Sequence, residues 1–190
     1  MALNENHDAE FELGAMFHDG DGIDQDYAKA LEWYTKAAQA GNRQAAFNLA
    51  LMYRNGEGTS VNLDAAHGWF VRASDAGDVR AAFHLGQMSY TGQGATQDFE
   101  KALQYYLKSA RGGFADAQMN AGVMYVRGEG VPKQDVINAY AWLKIASENG
   151  STRAASLLTS LNAQLTEQQK TEGEARMVEL KKEIKSPGLT

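Results

Sequence analysis

Glu12, Met16 and Asp19 stand at i, i+4 and i+7, a spacing that gathers three side chains on one face of a helix. The same spacing returns as Asn48, Met52 and Asn55, as His84, Met88 and Thr91, and as Asn120, Met124 and Arg127. These side-chain types suit recognition rather than bond-making. An asparagine amide both donates and accepts, so it can pair with a peptide backbone without reading its sequence. Methionine beside it offers a soft apolar surface that adapts to varied partners. The expected protein- or peptide-binding stripe is therefore Glu12, Asn48, Met52, His84, Met88, Asn120, Met124 and Arg127. For the methionines the competing expectation is core between neighbouring units. The stripe also carries a charge trend, acidic at Glu12 and Asp19 and basic at Arg127. It predicts a bound segment with basic residues by the first unit and acidic ones by the fourth.

Other chemistry finds little support. His7, His18, His67 and His84 show no metal-ligand spacing on one helix. The GDG, GEG, GQG and GEG turns lack the wider glycine spacing and Lys-Ser/Thr of a phosphate-binding loop. No serine sits in a G-x-S-x-G elbow, and there are no cysteines to act as nucleophiles or ligands. Trp33, Trp69, Tyr105 and Trp142, with Tyr34, Phe70 and Tyr106, recur so regularly that they read as core packing between units. No catalytic residue, metal or cofactor is expected.

The elements that position the stripe follow from an internal repeat. Leu13, Leu49 and Leu85 are 36 residues apart, and Ala121 takes the next step. Gly20, Gly56, Gly92 and Gly128 keep that step, as do Gly22, Gly58, Gly94 and Gly130. Each unit reads as two helices. The first is expected to open at Ala9, Ala45, Ala81 or Ala117, and carries a small residue (Gly14, Ala50, Gly86, Gly122) where a neighbouring helix comes close. The second is expected to be capped by Asp26, Asn62, Asp98 or Asp135, and to end at Gly41, Gly77, Gly113 or Gly150. Asn42 and Asp78 are placed to cap the helices that follow. Past Ser151 the pattern weakens. Thr166 with Gln169 forms a capping box for a long polar helix to about Lys185, a divergent terminal cap.

Four segments carry a family resemblance: AEFELGAMFHDGDGI with DYAKALEWYTKAAQAG, AAFNLALMYRNGEGT with NLDAAHGWFVRASDAG, AAFHLGQMSYTGQGA with DFEKALQYYLKSARGG, and AQMNAGVMYVRGEGV with DVINAYAWLKIASENG. They resemble the Sel-one-like repeat family, relatives of the tetratricopeptide repeats. The resemblance implies an all-α, right-handed superhelical solenoid of antiparallel helix pairs. It would hold four full repeats and a divergent C-terminal capping pair, with the first helices lining a concave groove. It also implies an adaptor or scaffold, often bacterial. A cysteine-rich branch with proposed penicillin binding exists, but its cysteine pairs are missing here. Ser89, Ala121 and Leu143 depart from the pattern and predict local looseness, chiefly in the fourth unit. The expected layout is a single repeat domain over 1–190: repeats at about 6–41, 42–77, 78–113 and 114–150, a cap at 151–185 and a short tail at 186–190.

An apolar content of 44% supports a real core, and 2 prolines against 19 glycines suits helices joined by tight turns. A net charge of -6 disfavours nucleic acid as a partner. No apolar run is long enough to span a bilayer, so membrane insertion is not expected. The start MALNENHDAE shows no leader, which points to the cytoplasm, or to a periplasmic or secreted protein if a leader has been removed. The expected function is binding a protein or peptide partner in the groove, without enzymatic activity. The runner-up is a hydrolase acting on a cell-wall or peptide substrate, which would need a deep pocket of convergent ionisable groups. A third reading is a spacer or homo-oligomer whose groove is filled by its own copy.

Overall fold

Capping chemistry sets the helix boundaries. In this computed structural model, which describes residues 2–184, each second helix begins just after an acidic or amide residue. Asp26, Asn62, Asp98 and Asp135 accept from the backbone N–H of Lys29, Ala65, Lys101 and Asn138, each three residues on. The expected tail 186–190 and the end of the cap at Lys185 lie outside the described residues. The helices are α1 (Ala2–Asp19), α2 (Tyr27–Gln39), α3 (Arg43–Asn55), α4 (Leu63–Asp75) and α5 (Val79–Thr91). They continue as α6 (Phe99–Arg111), α7 (Ala115–Arg127), α8 (Val136–Glu148), α9 (Thr152–Asn162) and α10 (Glu167–Glu183). The fold is all-α, built of consecutive helix pairs.

The first helices start a little earlier than expected. α3, α5 and α7 begin two residues ahead of Ala45, Ala81 and Ala117, and α1 begins seven residues ahead of Ala9. The reason is the caps. Asn42 accepts from Ala45 N and Asp78 from Ala81 N, so α3 and α5 start right after their caps, while α7 follows Phe114 without a side-chain cap.

Two compact units divide within α5. The first takes the chain through Leu85 together with 93–95, and there α1 packs on α2, α2 on α3 and α3 on α4. The second takes Gly86–Gly92 and the chain from Thr96, with α6 on α7, α7 on α8, and α8 on both α9 and α10.

Small residues allow these contacts. A methyl group at Gly14 would lie 2.7 Å from Cδ1 of Tyr34, so only glycine admits that ring against α1. Gly58 combines a left-handed φ of 69° with the Tyr27 carbonyl lying where a side chain would begin. The turn glycines therefore have a structural role, as expected.

The aromatic expectation needs correction. Tyr34, Phe70 and Tyr106, the second of each pair, are the buried rings. Trp33, Trp69 and Tyr105 are only half-buried. Lys36 Nζ lies 4.0 Å from the Trp33 ring centre and Arg72 4.5 Å from that of Trp69, so cations cover their outer faces. Trp142 is the exception and is fully buried. The difference is α10. It packs on α8 through Gly173, Met177 and Leu180, so α8 buries two faces where α2 buries one.

The expected looseness of the fourth repeat is also corrected, since Ala121 and Leu143 are buried and Leu143 joins a core with Tyr140, Leu158 and Leu161. The Thr166–Gln169 capping box forms as expected.

Candidate functional site

The expected stripe divides by burial. Met52, Met88 and Met124 are 1%, 3% and 1% exposed, so they belong to the core and not to an open groove floor. The physical reason is helical spacing. Met52 is four residues past Asn48 but also three past Leu49, and the apolar neighbour decides which way the shared face turns. Met16 is exposed, as are Glu12, Asp19 and Arg127, while Asn48, His84 and Asn120 are half-buried.

The half-buried stripe residues have partners within the chain. Asn48 hydrogen-bonds the Tyr34 hydroxyl, and Asn120 that of Tyr106. His84 stacks on Phe70, ring centres 5.1 Å apart and planes 28° from parallel. Each partner lies fourteen residues earlier, in the preceding repeat. A phenol is met by an amide, and a bare phenyl ring by a flat ring. At the fourth step Leu143 is met by Leu157, which packs against the same apolar core. This matching explains much of the variation along the stripe without any ligand. Burial raises the Tyr34 and Tyr106 phenols, Tyr106 to about 12, against the opposing hydrogen bonds from the two asparagines.

Two further clusters were not foreseen. In the first unit His18 bridges Asp19 Oδ1 at 2.7 Å and Glu57 Oε2 at 3.1 Å. Partial burial opposes charge on this ring, but the two carboxylates outweigh it and raise its pKa above the ordinary histidine value. Arg54 Nη1 lies 3.0 Å from Nδ1 of His84. A guanidinium only donates, so Nδ1 accepts. In the second unit Arg127 Nη1 donates to the Tyr90 hydroxyl at 2.9 Å, and that hydroxyl donates to Glu129 Oε2 at 3.1 Å. Among the described residues, no three His, Asp or Glu side chains converge as a metal site.

The second unit also holds a cavity of about 300 Å³. Its walls include Gln87, Tyr90, Asn120, Met124, Arg127 and Arg153. Three residues of the expected stripe thus meet at one place, Met124 contributing only the edge of a buried side chain. Arg153 was not singled out from sequence because it lies in the divergent fifth unit.

The Sel1 repeat pattern matches residues 7–42, 43–78, 79–114 and 115–151. The chain belongs to the Sel1 repeat family. It is similar to a Sel1 repeat protein of Oxalobacter formigenes, 34% identical over 82% of this chain and 45% of that one, with a TM-score of 0.76. A protective antigen of uropathogenic Escherichia coli with an SLR fold is 26% identical over 94% of this chain and 46% of that one, TM-score 0.55. Cysteine-rich protein B of Helicobacter pylori is 23% identical over 70% of this chain and 96% of its own length, TM-score 0.56, a likeness of fold. The chain spans less than half the length of the first two. No curated protein matches. Sel1 repeats generally serve as scaffolds for protein contact and are typically non-enzymatic. No helix among the described residues is long and apolar enough to cross a membrane.

Proposed function

We propose that this Sel1 repeat chain is an adaptor that holds a segment of a partner protein against the first-helix face of its second unit. The observation that carries the reading is the cavity where Asn120, Arg127, Gln87 and Arg153 meet. Its volume suits one or two side chains of a bound segment, at the small end of ligand sites. The hydrogen-bonding groups around it suit an extended backbone.

Thr91 is exposed at the cavity rim and gives a direct test. A photoreactive phenylalanine analogue at Thr91 should form a protein adduct in the native cell, and Val123→Trp, which fills the cavity, should abolish it. The same analogue at exposed Gln104 on α6 should not form that adduct. An adduct at Thr91 that persists with Val123→Trp would reject the reading.

A further inference from the structure

The repeat supplies its own control for the role of Arg153. Position by position, Arg153 in α9 corresponds to Arg80 in α5, Ser151 to Asp78, and Met119 to Phe47. In the first unit Arg80 is held by two anchors although its side chain is half-exposed. Its Nε and Nη2 reach Asp78 Oδ1 and Oδ2 at 3.1 and 2.6 Å, and its guanidinium carbon lies 4.1 Å from the Phe47 ring centre. Asp78 is buried and caps α5 while holding the arginine down.

In the second unit both anchors are gone. Ser151 keeps the capping function, its hydroxyl accepting from Ala154 N at 3.2 Å, but brings no charge. Met119 replaces the ring and contacts that same hydroxyl, 3.9 Å from Sδ to Oγ. Arg153 is left exposed, with no ion-pair partner among the described residues, and it lines the cavity. It also stands in the first turn of α9, where the helix end already favours an anion. Across the cavity Arg127 is fixed by its bond to Tyr90. Glu129 is an ion-pair partner of Arg127, 3.9 Å from its Nη1, and is not among the cavity's lining residues. Two guanidinium groups and the Asn120 amide therefore border one small space in a chain whose net charge is -6.

We propose that this cavity binds the carboxylate of an acidic side chain from the partner segment, held between Arg127 and Arg153 beside Asn120. This rests on the reading that a partner segment occupies the cavity. A carboxylate matches the planar guanidinium fork, and replaces for Arg153 the aspartate that Arg80 already has. The glutamine form of the same segment keeps one carbonyl acceptor but loses the negative charge and with it the ionic part of both contacts.

The test uses the full chain and capped pentapeptides of alanine and serine, with central glutamate or central glutamine, followed by NMR. The glutamate peptide should give saturable shifts at the side-chain N–H groups of Arg127, Arg153 and Asn120. The glutamine peptide should bind about tenfold more weakly, a difference of about 1.4 kcal/mol. Raising salt from about 0.05 to about 0.5 M should narrow that gap. Arg153→Gln should bring the glutamate peptide down to the glutamine level. So should Ser151→Asp, which rebuilds the Asp78–Arg80 arrangement and keeps a helix cap. Both positions lie at the surface end of α9, and unchanged circular dichroism will confirm folding.

Equal binding of the two peptides, or no saturable shifts, overturns the proposal. So does binding confined to a glutamine peptide with a free C-terminal carboxylate, which would make a chain terminus the ligand. Equal response to inorganic phosphate would mean an unselective anion patch and also overturns it. Should the peptides bind alike while the Thr91 adduct forms and is abolished by Val123→Trp, the adaptor reading stands and the carboxylate assignment alone fails. Should glutamate bind selectively with no Thr91 adduct, the adaptor reading fails and with it the partner segment as occupant, leaving a pocket for a carboxylate from another source.

Discussion

Arg80 and Arg153 occupy the same place in two copies of one structural unit, yet their surroundings give them opposite characters. In the first unit a buried carboxylate and a phenyl ring hold the guanidinium against the protein. In the second, a serine and a methionine leave it facing an open cavity. The backbone frame is shared, since Asp78 and Ser151 both cap the helix that carries the arginine. Two side-chain exchanges are therefore enough to turn a structural corner into a candidate recognition corner. Repeat architecture makes such a contrast readable, because each copy is a reference state for the others.

The largest test of this contrast is deletion of the ring. Phe47→Ala removes a buried side chain that also touches Phe70 and His84, and should cost about 3 kcal/mol or more. Met119→Ala, at the edge of a cavity, should cost about 2 kcal/mol because less packing is lost. Urea denaturation of both variants checks the order, and equal losses would mean the two corners are packed alike.

A smaller effect is expected from Asp78→Ser, which copies Ser151 into the first unit. The cap is retained, so the loss should be about 1 kcal/mol, set by an ion pair whose arginine is half-exposed. A loss well above that would show Asp78 doing more than restraining Arg80.

An effect of similar size concerns Tyr106, the phenol beside the cavity. Tyr106→Phe should cost about 1 kcal/mol at neutral pH by removing its bond to Asn120. Its folded pKa is raised from 10.0 to about 12, so the folded state holds the proton more tightly than the unfolded chain does. That contribution is complete below pH 10 and is lost as pH rises towards 12. Wild-type stability should fall over this window, and Tyr106→Phe should fall less steeply in alkaline melts.

The helix pairs were legible in the sequence because their signals are local. A cap, a buried alanine and a turn glycine each act within a few residues, and all recur at steps of 36 residues, or 37 across the one inserted in the fourth repeat. The site was legible only in part. The position of Asn120 and Arg127 on one helix face follows from helical period alone. Burial of Met52, Met88 and Met124 depends on which neighbour covers that face, and period does not encode it. The tyrosine–asparagine pairs left a signal in the sequence, a change at one position followed by a change fourteen residues on, which a search for faces alone overlooks. Arg153 was hidden because its meaning lies in what replaces Asp78 and Phe47, and only the structure sets those exchanges side by side.

The matching of Tyr34 with Asn48, Phe70 with His84 and Tyr106 with Asn120 has a consequence for how such a chain can change its length. Each pair straddles a repeat boundary, so no repeat carries both halves. Duplicating the repeat at 43–78 in tandem would set Phe70 against a second copy of Asn48, leaving an amide facing a bare phenyl ring. Recombination that inserts or removes a single internal repeat therefore breaks a junction unless a compensating substitution follows. Growth by whole matched blocks, or by exchange between junctions of the same type, leaves every boundary satisfied.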